Sequence, residues 1–431
     1  MAKNEYDPTL TYLIDTLKKK KRRIDLRYRY YEMKQSTKEL GNMLPPTYRW
    51  LSSCLGWSAK AVDSLADRLS FYSFDNDFYG IGEIFRENNQ DILVDSVMLS
   101  ALICSCGFIY IRKGEDGDIK MYALDGGDAT GIIDPNTYLL KAGYAVIERD
   151  SKGRPTLEAY FTAGYTYYFL PNEKDPVMVE ETGIEIPALV PVIYRPDARR
   201  KFGHSRISRA CMDIQQGAMR TLKRSEISAD FYSFPQRYIL GTSQDSEPMD
   251  KWKATMSSFI EITKDDDGDK PTMGQFSQQS MTPYVDQMRM FASLFAAETG
   301  LTVDDLGFVS DNPSSSEAIK AAHENLRLNA RKAQKNFSVG LLNAGYVAAC
   351  MRDGETYKRY RLFRTKTRWN PVFEPDFSAL SSIGDGAIKL NQAIPGFIDR
   401  NNMRDLTGIE PGESEAAATE IIVTEEQVNE E

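Results

Sequence analysis

The residues of this chain that could perform acid–base, nucleophilic or metal chemistry are few, and their spacing matches no catalytic motif. The chain has two histidines, His204 and His323, and neither lies in a metal-binding spacing or beside a candidate triad partner. Cys104 and Cys106 have no second cysteine pair, so no zinc site is predicted. The chain contains no Gly-Lys-Ser/Thr phosphate loop, and no Gly-x-Gly-x-x-Gly motif follows a strand. We therefore predict no catalytic residue, no metal and no cofactor.

An acidic run from Asp265 to Asp269 resembles a calcium-binding loop. When Gly268 is placed at the sixth position of such a loop, Gly274 falls where a bidentate glutamate is required. We therefore interpret the run as a polar turn between strands.

Composition narrows the class of protein. A chain of 431 residues is long enough for two or three domains, and its net charge of −9 argues against non-specific wrapping of nucleic acid. Its five scattered cysteines are typical of reduced thiols in a cytosolic setting, and no signal peptide is predicted. The longest uncharged run, Ser96–Ile111, is too short to cross a bilayer, and predicts a buried helix that passes into a strand.

A loop followed by one long helix is the most informative segment. The loop carries small, apolar and acidic residues, namely Leu306, Gly307, Phe308, Val309, Ser310, Asp311 and Asn312. Ser314 and Glu317 form a predicted capping box, after which apolar residues recur every three or four positions to Met351. A helix over 314–351 would be about 55 Å long. Such a segment indicates an architectural role, not a catalytic one.

Basic residues occupy another face of this predicted helix: Lys320, Arg327, Arg331 and Lys335. Only Glu317 and Glu324 oppose them on the same helix. The face is either solvated or meets phosphates or an acidic neighbouring subunit.

The remaining pattern predicts an α+β fold. A helix over 9–33 carries the basic run Lys18–Arg23, which is either a solvated face or a contact with nucleic acid or an acidic partner. Further helices are predicted over 47–69, 92–104, 205–231 and 284–299, with short helices over 385–408. Strands are predicted over 108–111, 119–122, 144–148, 157–161, 165–170, 237–241 and 259–262, with a basic strand pattern over 357–369 and an extended link over 187–196.

This order resembles the SPP1-type family of tailed-bacteriophage portal proteins. The similarity spans about residues 40 to 410, and it depends on five segments in the right order and spacing. They are Lys60–Leu69, Gly203–Ile207, Pro235–Gly241, Glu298–Thr302 and Asn312–Ile319.

The resemblance implies a portal-type fold with an α/β wing, a two-helix stem, a small β-containing clip and a helical crown. Its parts would be a basic helical segment (1–43), the wing (44–202), a stem helix (203–235), the clip (236–281), a second stem helix (282–303), the channel loop (304–313), the long helix (314–351), the returning wing (352–375), and the crown with an acidic tail (376–431).

The resemblance also implies a function. Portal proteins form homo-oligomeric rings, usually of twelve subunits, at one capsid vertex, and double-stranded DNA passes through them without sequence specificity during packaging and ejection. The implied partners are the terminase large subunit, the major capsid and scaffold proteins, and the head–tail adaptor, with no membrane. The implied location is the virion, and the host cytoplasm during assembly.

Two alternatives remain open from the sequence. One is another virion structural subunit, such as a capsid or adaptor protein, which would not assemble into discrete rings. The other is a nucleic-acid-processing enzyme such as a terminase or nuclease. That enzyme would need a phosphate loop or a metal site built from carboxylates far apart in the chain.

Overall fold

The computed structural model describes residues 7–38, 48, 50–171, 173, 175–233, 237–240, 272–275, 280–308, 319, 321–373 and 377–409. The chain divides into two compact units. Unit 1 comprises Met1–Ile24, Val62–Arg206 and Glu324–Glu431, and unit 2 comprises Asp25–Ala61 and Ile207–His323.

The described part of the chain combines helices with short antiparallel sheets. The α-helices are α1 (Pro8–Tyr31), α2 (Trp57–Ala66), α3 (Ile81–Glu87), α4 (Gln90–Cys104), α5 (Arg209–Ser233), α6 (Thr282–Thr299), α7 (Glu324–Asp353), α8 (Phe377–Ala393) and α9 (Arg400–Thr407). Two 3₁₀ helices span Asp304–Leu306 and Arg359–Arg364. The strands are β1 (Phe71–Asp75), β2 (Cys106–Lys113), β3 (Ile119–Leu124), β4 (Ala129–Ile133), β5 (Leu140–Arg149), β6 (Pro155–Phe161), β7 (Tyr165–Phe169), β8 (Met178–Glu181), β9 (Leu189–Ile193), β10 (Arg237–Leu240), β11 (Thr272–Gln275) and β12 (Lys366–Trp369).

Unit 1 contains three sheets within the described residues. A five-stranded sheet runs β4-β5-β6-β7-β8, a three-stranded sheet runs β3-β2-β9, and β1 pairs with β12. All neighbouring strands in these sheets are antiparallel. The predicted α+β class is therefore confirmed, and so are the predicted strands between residues 108 and 170.

The uncharged run Ser96–Ile111 is a buried helix that passes into a strand, as predicted. Helix α4 ends at Cys104, and β2 begins only two positions later at Cys106. Ser105 makes this sharp reversal with a φ of +99°, in the left-handed region. Gly107 then lets β2 approach α4, because a Cβ there would lie 2.5 Å from the Val97 carbonyl oxygen.

Helix α7 enters the core of unit 1 along its C-terminal half. From Gly340 to Met351 every residue except Leu342 is buried. Gly340 lies against β9, where a Cβ would come within 2.9 Å of Val192 Cα. Gly345 lies against α3, where a Cβ would come within 2.1 Å of Ile81 Cγ2. Small residues at these positions let α7 contact a strand and a helix at close range.

Helix α1 packs its apolar face on the five-stranded sheet, as an amphipathic helix should. Its leucines join a buried cluster from β5, β6 and β7, made up of Leu10, Leu13, Leu17, Ala142, Tyr144, Val146, Tyr160 and Phe169. Lys20, within the basic run Lys18–Arg23, does not lie on a solvated face. Its ammonium group donates to the Ala129 carbonyl at 2.6 Å and lies over the rings of Phe108 and Phe202. Burial lowers the pKa of Lys20 because it disfavours the charged amine.

A chain of polar side chains links the three-stranded sheet to the five-stranded sheet. The hydroxyl of Tyr110 on β2 shares a 2.5 Å hydrogen bond with that of Tyr168 on β7. Tyr168 donates to Glu180 at 2.7 Å, and Arg112 Nε lies 3.4 Å from the same carboxylate. Burial raises the pKa of Tyr110 to about 12 and also raises that of Tyr168.

Three predicted elements differ from the structure: 47–69, 187–196 and 357–369. The helix predicted over 47–69 is confined to Trp57–Ala66, because the preceding carbonyls accept tertiary hydrogen bonds: Ser53 from Thr37, and Leu55 from Gln215. The predicted link 187–196 contains the buried strand β9, and it tolerates Pro191 because β9 is an edge strand. The predicted strand pattern of 357–369 is a 3₁₀ helix followed by β12.

The predicted long helix also differs at its start. Residues 319, 321 and 322 are helical, but a turn at His323 precedes the continuous helix, which begins at Glu324. An acidic side chain in the first turn complements the positive end of the helix dipole. With 30 residues, α7 is about 45 Å long, shorter than predicted. The predicted capping box, the strand 259–262 and the acidic turn 265–269 lie outside the described residues.

We predict that Gly345→Ala destabilises the protein. The new methyl would force Ile81 to move, and overpacking of this kind costs about 1–3 kcal/mol. Gly384→Ala in α8 is the matched control, because no heavy atom lies within 4 Å of its Cβ position and alanine favours a helix by up to about 1 kcal/mol. Urea unfolding followed by circular dichroism measures both. A Gly345→Ala variant as stable as wild type contradicts the packing.

We predict a pH-dependent effect of Tyr168→Phe. Near neutral pH the variant loses its hydrogen bonds to Tyr110 and Glu180, at a cost of about 1–3 kcal/mol. Unfolded tyrosines ionise near pH 10, whereas the folded pKa values of Tyr110 and Tyr168 are higher. The wild type therefore loses unfolding free energy as pH rises from about 10 to about 12. The difference between the two proteins should shrink across that window.

Denaturant unfolding at several alkaline pH values tests this expectation. The control is Tyr165→Phe, an exposed tyrosine on the same strand, which should match wild type throughout. A constant or growing difference between Tyr168→Phe and wild type above pH 10 contradicts the assignment.

Candidate functional site

Two long helices of unit 2 form an antiparallel pair. Ser208, just before α5, donates to Glu298 near the end of α6 at 2.7 Å. Further along, Thr221 donates to Gln287 at 3.0 Å, so residue numbers rise on α5 as they fall on α6. Between these bonds Gly217 faces Phe291, whose ring lies 2.8 Å from the position a Cβ would take. The glycine lets the pair approach closely where an aromatic ring must fit between them.

Two buried glutamines of α5 hold the N-terminal part of unit 2. Gln215 accepts from the amide and hydroxyl of Ser58 at 3.1 and 2.5 Å, and it donates to the Leu55 carbonyl. Gln216 accepts from the Lys38 amide at 2.9 Å. Because these side-chain amides bond to backbone groups of Lys38, Leu55 and Ser58, they fix the segment before α2 against α5.

A tight turn follows α6 and starts the predicted channel loop. Thr302 and Asp305 bond reciprocally: the amide and hydroxyl of Thr302 each donate to the Asp305 carboxylate at 2.9 Å, and the Asp305 amide donates back to the hydroxyl. Gly307 ends the 3₁₀ turn with a φ of +93°, which favours glycine. Leu306 is only 8% exposed, so its side chain is buried, whereas the channel-loop prediction placed it on an exposed loop surface.

The next two residues of the predicted loop are accessible. Gly307 is exposed and Phe308 is half-buried. The last four predicted loop residues, Val309, Ser310, Asp311 and Asn312, lie outside the described part of the chain.

Helix α6 carries two partly exposed apolar side chains on the face opposite its buried residues. Ala292, Phe295, Ala296 and Thr299 are buried and lie on one face at 100° per residue. Met290 and Leu294 lie on the other face and are about half exposed, 49% and 50%. Two adjacent apolar side chains on an outward helix face favour contact with another protein surface.

The four basic residues predicted on the long helix do not act as one group. Arg327 donates to the Glu324 carboxylate at 2.6 and 2.7 Å, and this hydrogen bond lowers the pKa of Glu324. Arg331 and Lys335 are exposed, one turn apart on the same face, and neither forms an ion pair with a carboxylate among the described residues. Lys320 lies outside the described residues. The face therefore presents Arg331 and Lys335, while the charge of Arg327 is already compensated.

The sequence analysis did not identify Met290 and Leu294 as an outward apolar pair on α6. The sequence does contain a signal for this pair, because Met290 and Leu294 lie away from the buried Phe295 on a helical wheel. The Thr302–Asp305 turn also has a signal in the sequence, because Thr-x-x-Asp is a capping-box pattern.

Other site chemistry is limited in the part of the chain that the structure describes. Within it, no group of three or more His, Cys, Asp or Glu side chains is arranged to hold a metal ion. None of its helices is long and apolar enough to span a membrane. All five cysteines are free thiols, and only Cys54 is exposed.

The chain is similar to curated portal proteins of two mycobacteriophages. It is 23% identical to the portal protein of Mycobacterium phage D29 over 406 residues, which covers 90% of this chain and 82% of that protein. It is 23% identical to the portal protein of Mycobacterium phage L5 over 400 residues, covering 87% of this chain and 80% of that protein.

Solved structures with a similar fold come from gene transfer agent (GTA) particles. A chain of the virion of the native GTA particle superposes with a TM-score of 0.44 at 13% identity, covering 83% of this chain and 90% of that chain. A chain of the neck of the native GTA particle, computed with C12 symmetry, superposes with the same TM-score at 12% identity and the same coverage.

Residues 10–362 match the family described as phage portal protein, SPP1 Gp6-like. That match covers most of the chain and includes the helix pair, the turn after α6 and the whole of α7. The chain therefore belongs to the SPP1 Gp6-like family of phage portal proteins.

Proposed function

We propose that this protein is the portal subunit of a tailed phage. Copies of it assemble into a closed ring, of twelve subunits, at one vertex of the capsid, and double-stranded DNA passes through the ring as the genome enters and leaves. The protein acts in the virion, and in the host cytoplasm during assembly. Membership of a structural, non-enzymatic family supports this role over a terminase or nuclease, and over a capsid or adaptor subunit.

The observation that carries the ring proposal is the outward apolar face of α6. Met290 and Leu294 lie opposite the buried residues Ala292, Phe295 and Ala296. Leu294 is next to the residues that contact α5, but both side chains stay about half exposed in the described part of the chain. Because each side chain is already half buried, covering the rest against a neighbouring copy contributes about 0.8–1.5 kcal/mol each. Because every copy presents the same face, one copy contacting the next with a different surface generates a ring when the rotation closes.

The family parts supply the rest of the proposal. The α5–α6 pair is the stem, and β10–β11 belong to the clip, within 236–281. A two-stranded sheet is marginal by itself, so pairing with neighbouring subunits stabilises it. The clip docks the terminase large subunit during packaging and the head–tail adaptor afterwards. The wing and crown contact the major capsid and scaffold proteins.

The channel proposal concerns the loop that begins at the Thr302–Asp305 turn. A conduit must let DNA slide, and each strong phosphate contact adds salt-dependent affinity that resists movement. Gly307 and Phe308 offer the duplex a small residue and an apolar one, and Val309, Ser310, Asp311 and Asn312 add no cation. The chain's net charge of −9 is consistent with weak holding of DNA.

We predict that the double variant Met290→Lys, Leu294→Asp loses ring assembly while each subunit stays folded. Two half-exposed apolar side chains contribute about 1.5–3 kcal/mol per interface, so association at each interface should weaken by about tenfold or more. The matched control is Met290→Leu, Leu294→Met, which keeps the face apolar. Analytical ultracentrifugation measures assembly, and circular dichroism melting measures folding.

Normal rings from the charged variant show that α6 does not form the subunit interface. Wild-type protein that remains monomeric or dimeric at high concentration and moderate salt contradicts the ring itself.

We predict that Phe308→Ala and Leu306→Ala separate function from stability. Leu306 is buried, so its truncation should cost about 2–5 kcal/mol and lower the melting temperature. Phe308 is half-buried, so its truncation should cost less while changing the amount of DNA packaged or retained. Melting temperature and packaged DNA are measured for both variants. A Phe308→Ala variant with reduced stability and normal packaging contradicts the channel assignment.

A further inference from the structure

The 3₁₀ helix Arg359–Arg364 arranges its side chains in rows, because residues three apart eclipse one another. One row faces inward. Arg359 donates to Asn343 at 2.8 Å, Leu362 is buried, and the Thr365 hydroxyl donates to the Asn76 carbonyl at 3.1 Å. This inward row fixes the orientation of the two rows that remain at the surface.

The first surface row consists of cations. Lys358, Arg361 and Arg364 are exposed and follow one another at a rise of about 6 Å. None of the three forms an ion pair with a carboxylate in the parts of the chain that are described. Elsewhere in unit 1, exposed or partly exposed arginines do form such pairs: Arg352 with Asp353 at 2.8 Å and Arg404 with Asp75 at 2.6 Å.

Aromatic side chains hold the central cation in place. The Arg361 guanidinium lies 4.4 Å from the centroid of the Phe78 ring, and its Nε donates to the Tyr360 hydroxyl at 3.0 Å. Contact with aromatic rings orients a guanidinium and leaves its positive charge in full. The arginine is therefore positioned without being neutralised.

The second surface row is aromatic. Tyr360 is 57% exposed and Phe363, three residues later, is 75% exposed. Phe78, which stacks on Arg361, is 60% exposed. We refer to Lys358, Tyr360, Arg361, Phe363 and Arg364 as the basic–aromatic ridge.

A polyanion with stacking surfaces fits this ridge better than a protein does. Burying three uncompensated cations in a protein interface carries a large desolvation penalty unless the partner supplies a carboxylate for each. A nucleic acid strand presents one negative charge per nucleotide, and its unpaired bases stack on exposed aromatic rings. Alternating cations and rings serve both contacts at once.

We propose that the basic–aromatic ridge is a nucleic-acid-binding surface. Lys358, Arg361 and Arg364 contact phosphates along a strand, and Tyr360 and Phe363 stack on unpaired bases. The ridge belongs to unit 1, whereas the proposed channel loop after α6 belongs to unit 2. It holds nucleic acid, whereas the loop lets it slide.

The test uses the full chain and a fluorescently labelled oligonucleotide, as a single strand and as a duplex. Binding is followed by anisotropy between about 50 and 200 mM salt. In Arg361→Gln, Arg364→Gln, two phosphate contacts are lost. The slope of log affinity against log salt should therefore fall by about 1.4 for the single strand and about 1.8 for the duplex. The matched control, Lys141→Gln with Lys152→Gln, removes two exposed cations of unit 1 outside the ridge and should leave both slopes unchanged.

A second variant tests stacking. Phe363→Leu keeps an apolar side chain but removes the ring, so it should weaken single-strand binding by about fivefold or more and leave duplex binding unchanged. Because Phe363, Arg361 and Arg364 are exposed, circular dichroism melting should match wild type for every variant.

Three outcomes overturn the proposal. Unchanged salt slopes in the arginine variant show that the ridge does not contact phosphates. Equal single-strand binding by Phe363→Leu and wild type removes the stacking role. Loss of ring assembly by the arginine variant in sedimentation, with unchanged oligonucleotide binding, shows that the ridge is a subunit interface instead.

Discussion

The close approach of α7 to its neighbours is the constraint on which the rest of unit 1 depends. Its C-terminal half is buried, and Gly340 and Gly345 leave no room for a side chain against β9 and α3. A helix held at this distance fixes the position of both elements, because interiors packed at this density do not yield to local expansion. The other half of α7 buries only one stripe, so the same helix is a core element at one end and presents Arg331 and Lys335 at the other.

Hydrophobic periodicity in the sequence correctly predicted the helices that bury one main face. The apolar steps along α5 and α7 identified these helices correctly, because each helix buries an apolar stripe. The predictions were wrong where tertiary hydrogen bonds decided the conformation. Residues 51–56 have a helical pattern, but Gln215 and Thr37 bond to carbonyls that a helix would use. Nothing local to that segment encodes such distant partners.

The segment 357–369 illustrates a different limit. Its alternating basic and aromatic residues read as a strand, with a period of two. The structure has a period of three over Arg359–Arg364, since Arg359, Leu362 and Thr365 all point inward. Only one of these three is apolar, so a pattern based on hydrophobicity cannot detect the row. The same error concealed the ridge. In a strand, Lys358, Tyr360 and Arg364 would lie on one face, and Arg361 and Phe363 would lie on the other.

A DNA conduit needs two kinds of surface with opposite chemistry, and the distribution of charge in this chain separates them. In the proposed channel, the loop after α6 carries no cation among residues 304–313, which favours low affinity for DNA. Where nucleic acid is to be held, cations must stay uncompensated and fixed in direction. Arg361 meets both conditions, since aromatic groups orient it and no described carboxylate pairs with it. The proposed ridge, which would hold nucleic acid, therefore differs from the proposed channel loop in one respect. It carries cations, of which the central one is oriented by aromatic rings instead of being neutralised by a carboxylate.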